Sequence, residues 1–147
     1  VLQKAKGEYV WKDMERACRD LGLPWIRPTT FPRTALLPMR VALVGAEQPW
    51  MGAYCRRVMS LNFAEDRDID APDVVADVLK QLGLPARQII DEARSEPNKL
   101  KLREQTEAAR ARGIFGAPTF LVGDEMYWGN DRLDDALACA SRRLKPE

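Results

Sequence analysis

The sequence of 147 residues contains no histidine. That removes the commonest general base and the commonest ligand of transition metals, so Ser-His and Cys-His nucleophile pairs are excluded and no metal is expected. A charge surplus is lacking too. The 23 Lys plus Arg stand against 22 Asp plus Glu, a net +1, which gives a polyanion nothing to approach, and nucleic acid is not expected as a partner. No apolar run nears the roughly 20 residues of a membrane-spanning helix, and Val1 opens no charged-then-apolar leader, so no membrane contact is expected and the cytoplasm is the default location. Cysteine is scarce and unpaired in spacing. Cys18, Cys55 and Cys139 fit neither a zinc site nor a redox dithiol, and they read as reduced, buried thiols. Length and a hydrophobic content of 46% are those of one soluble globular domain.

What is present is mostly helical punctuation. From Tyr9 to Leu21 the residues Val10, Met14, Ala17 or Cys18 and Leu21 recur at helical spacing, and Gly22 follows as a left-handed cap. Pro24, Pro28 and Pro32 make Leu23 to Arg33 an extended connector that crosses the surface or lines a groove. Thr34 is the expected N-cap of a helix to about Val44. Trp50, Tyr54, Val58 and Leu61 mark a third helix, followed by a charged, solvated loop over Glu65 to Asp70. Helices follow from Pro72 to Leu82, from Pro85, and from Pro97 to Gly113. Strands come only afterwards: Thr119 to Val122, a Gly123-Asp124 turn, and Glu125 to Trp128 form a β-hairpin. Asn130 then caps a last helix with Leu133, Leu137 and Ala140 or Ser141 facing inward. A lone two-stranded ribbon is marginal and leaves open edges, so a further sheet partner is expected.

The run GIFGAPTFLVGDEMYWGNDRL, residues 113 to 133, resembles the C-terminal half of a thioredoxin-like fold. Within that superfamily it resembles the family of 2-hydroxychromene-2-carboxylate isomerase and kappa-class glutathione transferase, itself DsbA-like. That family places Gly, an apolar residue, Phe and Gly before a small residue and a cis proline, then strand, turn, strand and a Trp-Gly-x-Asp-Arg-Leu helix start. Upstream, Lys6, Gly7, Tyr9, Asp13, Met14, Leu23 and Pro24 agree with the start of its helical insertion, as do Phe31, Pro32 and Thr34, and Asp68, Ile69 and Asp70 before Pro72. Arg33 departs from it, standing where an Asn is usual.

The resemblance implies an α/β, thioredoxin-like fold with a large all-helical insertion: residues 1–112 as the mainly helical insertion domain and 113–147 as the C-terminal β-hairpin plus helix. In the family an N-terminal βαβ unit comes first and carries the Ser, or in disulfide-exchanging cousins the Cys, that faces the glutathione sulfur. The catalytic residue is therefore expected upstream of Val1, and none is assigned here. The sequence reads as a piece of a longer protein, or as one whose sheet another chain completes. Alone, the 147 residues are expected neither to isomerise substrate nor to form a well-ordered monomer.

Each candidate site residue has two readings. Ala117 and Pro118 are either an ordinary trans turn at a strand start or, as the resemblance implies, a cis pair whose backbone turns toward glutathione. Asn130 and Asp131 either cap a helix or hold the γ-glutamyl carboxylate and ammonium at its dipole-positive start. Lys6 is either a solvated lysine or the partner of the glycyl carboxylate. Phe115 and Trp128 are core or the walls of a substrate pocket, and core is favoured. The implied activity is glutathione-dependent cis-trans isomerisation of 2-hydroxychromene-2-carboxylate or a related aromatic-degradation intermediate. Its partners would be glutathione and a small aromatic substrate, with a homodimer left open. The alternatives are a DsbA-like thiol-disulfide oxidoreductase and a non-catalytic thioredoxin-like binding protein.

Overall fold

Proline and glycine divide the first hundred residues into helices, of which those between Leu36 and Ala93 are too short to hold alone, so their stability comes from the face each one buries. The computed structural model describes residues 2–143, with side chains from residue 4 onward. It resolves into two compact units, one through Leu102 and one from Arg103, divided inside a helix.

The first unit holds α1 (Leu2–Asp20), α2 (Leu36–Val44), α3 (Met51–Phe63), α4 (Pro72–Gln81), α5 (Ala86–Ala93) and the first turns of α6 (Glu96–Ala111). Its core is built by α2 to α5. Val74, Val75, Val78 and Leu79 fall on one face of α4 and pack with Leu37, Val41, Tyr54, Val58, Ile89, Ile90 and Ala93. Pro72 opens α4, where its missing N–H costs nothing. Gly83 closes it in the left-handed conformation, and the Leu84 N–H reaches back to the Leu79 carbonyl at 3.0 Å. Helices α1 and α6 end in the same way at Gly22 and Gly113.

Several expectations change here. Helix α1 begins at Leu2, well before Tyr9. Only part of its apolar stripe is covered: Trp11 packs edge-on against Phe31 at 4.8 Å, whereas Val10, Met14 and Leu21 are exposed. Thr34 does not cap α2. The helix starts two residues later with no side-chain cap of its own, and the Leu37 N–H donates instead to Asp70 Oδ1 at 2.8 Å. The loop over residues 65–70 is not simply solvated. Asp66 accepts hydrogen bonds from the Thr29 N–H and the Arg33 guanidinium, and Ile69 is buried. Cys18 and Cys55 are free but only half-buried; Cys139 is free and buried.

The second unit holds the rest of α6, β1 (Thr119–Val122), β2 (Glu125–Trp128), a single 3-10 turn over Asn130–Arg132, and α7 (Leu133–Arg143). The strands pair antiparallel, with Thr119 opposite Trp128 and Val122 opposite Glu125 around the Gly123-Asp124 turn. Ala136 and Cys139 are the buried residues of α7, while Leu133 and Leu137 are exposed. The inward face is thus rotated from the expected one, because small side chains let a helix lie close to a two-stranded ribbon. No described helix is long and apolar enough to cross a membrane.

Candidate functional site

The two ends of the hairpin do different work. At the turn end, Glu125 accepts hydrogen bonds from the Tyr127 hydroxyl at 2.9 Å, from Arg143 at 3.3 Å and from the Cys139 thiol at 3.4 Å. These donors hold the Glu125 carboxyl below its usual range, the Tyr127 bond foremost. Hydrogen bonds with Cys139 and Glu125 push the Tyr127 hydroxyl up. The cluster fastens α7 to β2.

The open end carries the residues singled out by sequence in the second unit. The Ala117–Pro118 bond is cis. The Gly129 N–H donates to the Pro118 carbonyl at 3.0 Å, which extends the strand pairing by one step and ties the chain before β1 to the chain before α7. Ala117 is exposed, and its N–H and C=O find no partner among the described residues. Thr119 Oγ1 donates to the Gly116 carbonyl at 2.6 Å and fixes the tight approach to the strand. Gly129 has φ +113 and ψ 151, a conformation essentially restricted to glycine, and a Cβ there would collide with the Asp131 carboxylate. Gly116 is similarly confined, with the Trp128 indole lying where its Cβ would be.

Asn130 is not a helix cap. It lies inside the 3-10 turn, preceded by Gly129, with no side-chain cap bond. The turn runs directly into α7, so Asn130 and Asp131 stand, exposed, at the start of a helical stretch whose first N–H groups have no intrahelical acceptors. Phe115 and Trp128 are not core in the described chain. They are 69% and 53% exposed and lie against each other with ring centroids 5.0 Å apart. Lys6 is exposed on α1, in the first unit. The second unit therefore gathers Phe115, Ala117, Pro118, Trp128, Asn130 and Asp131 around one end of one hairpin. Sequence reasoning did not single out Gly116 and Gly129. The signal was there, since glycines flanking a paired strand mark a close approach.

Residues 2–138 match the DSBA-like thioredoxin domain. The chain belongs to that family. Its fold is thioredoxin-like with a large helical insertion. Among its relatives, the 2-hydroxychromene-2-carboxylate isomerase of Pseudomonas putida is 32% identical over 130 residues, covering 88% of this chain and 63% of that protein. The protein of the same name from Pseudomonas sp. (strain C18) is 30% identical over 128 residues, covering 87% and 59%. A solved structure of a 2-hydroxychromene-2-carboxylate isomerase superposes with a TM-score of 0.83 at 28% identity, covering 95% of this chain and 68% of that one. The chain thus spans about three fifths of the length of the curated relatives it matches.

Proposed function

We propose that the protein is a glutathione-dependent isomerase acting on 2-hydroxychromene-2-carboxylate or a related aromatic-degradation intermediate. One observation carries the reading: likeness to proteins of that name, and to a solved structure of one, runs along nearly the whole chain and takes in both units.

The open end of the hairpin fits a γ-glutamyl peptide. Ala117 offers an exposed N–H and C=O, without a partner among the described residues, to an extended backbone in the manner of strand addition. The helical start at Asn130 and Asp131 offers N–H groups to an α-carboxylate, and the Asp131 carboxylate accepts from an α-ammonium. The Gly129 N–H ties this backbone to the Pro118 carbonyl, and the absence of a Cβ at Gly129 leaves room for the Asp131 carboxylate. Phe115 and Trp128 offer two exposed rings to a flat aromatic substrate. When bound, glutathione supplies a thiol whose reversible addition turns a conjugated double bond into one that rotates. Only the thiolate is nucleophilic, and an unperturbed thiol is mostly protonated at pH 7, so a donor to the sulfur is required.

The test is conversion of 2-hydroxychromene-2-carboxylate to its isomer, followed by absorbance with and without glutathione, in a protein that joins these 147 residues to the βαβ unit expected upstream. Turnover that requires glutathione supports the proposal. Turnover unaffected by removing glutathione overturns the cofactor, and no turnover in either condition overturns the reaction.

A further inference from the structure

The first unit contains a half-open cavity of about 250 Å³ between residues 31–35, α2 and α3. We propose that it binds an uncharged aromatic molecule of one or two rings, at a site built by residues of the first unit alone and argued independently of the isomerase reading.

Its walls are mostly apolar. Pro32, Pro38, Ala42, Val58 and Ile69 line it, and Met39 and Met59 line it as well. These two methionines are exposed on opposite helices. Thioethers adapt their shape and make favourable contacts with ring edges, so the lining favours a flat aromatic over a branched aliphatic molecule. Small residues at positions 35 and 42 leave the space open. An apolar cavity of about 150 Å³ takes benzene, and the larger volume here admits a second fused ring.

The charge of the ligand follows from the polar groups in the wall. Arg33 Nη1 donates to Asn62 Oδ1 at 3.0 Å, and Nη2 pairs with the Asp66 carboxylate. The Tyr54 hydroxyl donates to the Pro38 carbonyl at 3.2 Å. The guanidinium charge is already answered, and a carboxylate entering the cavity would lose its hydration with nothing to replace it. Arg33 thus supplies a neutralised wall rather than an anion site.

The test uses the full chain labelled with ¹³C at the methionine methyls and titrated with indole. Saturable shifts at Met39 and Met59, with none at Met14 on α1, are expected. Indole-3-carboxylate should bind at least tenfold more weakly; equal or tighter binding would overturn the uncharged class. Ala42→Leu fills the space and should weaken indole at least tenfold. Met59→Ala, at an exposed position that the core does not need, should weaken it several-fold. The absence of saturable shifts at Met39 and Met59, or unchanged binding in the Met59→Ala protein, overturns the site.

Discussion

Replacing Asn98 by aspartate preserves shape and removes a donor where the fold uses one twice. Asn98 lies in the first turn of α6 and is 5% exposed. Its Nδ2 donates to the Arg40 carbonyl of α2 at 3.0 Å and to the Ala93 carbonyl at the end of α5 at 3.1 Å. Ala93 is the last residue of its helix, so its carbonyl has no intrahelical donor and depends on the amide. Two such bonds are worth about 0.5 to 1.5 kcal/mol each, so Asn98→Ala should cost about 1 to 3 kcal/mol. Asn98→Asp should cost about 3 to 5 kcal/mol at pH 7, because it leaves an unpaired buried charge facing two carbonyl oxygens. Burial raises the pKa of the new carboxyl in the folded state. The penalty is therefore full at neutral pH and shrinks as the pH falls and the group binds a proton that can donate again. Urea unfolding at pH 7 and at acid pH, with each variant compared to the parent at the same pH and with an unchanged slope, reads both effects. An Asn98→Asp midpoint equal to the parent's, or a smaller loss than in Asn98→Ala, would refute the reasoning.

Two further outcomes follow from named contacts. Asp131→Ala should weaken glutathione by roughly tenfold, about 1.4 kcal/mol, the low end for a charge-assisted bond at an exposed position; unchanged affinity by calorimetry would contradict the assignment. The Thr29 N–H, and after it the Arg33 guanidinium, hold Asp66 below its ordinary value of 3.8. A depressed carboxyl stabilises above the ordinary carboxylate range, and that contribution disappears as pH falls through the folded value. Asp66→Asn should thus lower the melting temperature at pH 7, with the difference fading on acidification.

The legible parts of the molecule were those with a local signal. TFLV, Gly-Asp and EMYW state a hairpin completely, turn included, and β1 and β2 pair in that register. Pro72, Gly83 and Gly113 mark helix ends by their own backbone preferences. The unread parts depend on residues far apart in sequence. Asp70 serves α2 from 33 positions away and Asn98 bridges to Arg40 across 58, and no window of the chain contains both partners. Helix α1 ran on to Leu2 through lysine-rich residues that show no apolar period. The inward face of α7 was misread because Leu133 and Leu137 are the larger apolar residues, whereas close packing on a ribbon selects Ala136 and Cys139. The grouping of the candidate residues around Pro118 was legible through the family resemblance of residues 113–133. Its confinement by Gly116 and Gly129 was not, since that depends on where the Trp128 and Asp131 side chains come to rest.

The central claim, that the open end of the hairpin carries glutathione, is tested most directly by an amide-resolved NMR titration with S-methylglutathione, which has the peptide but no reactive thiol. The account predicts saturable shifts centred on Ala117, Gly129, Asn130 and Asp131, with the Glu125 to Tyr127 end of the hairpin unmoved. Saturable binding whose shifts leave those four amides in place, or no binding at all, would contradict it.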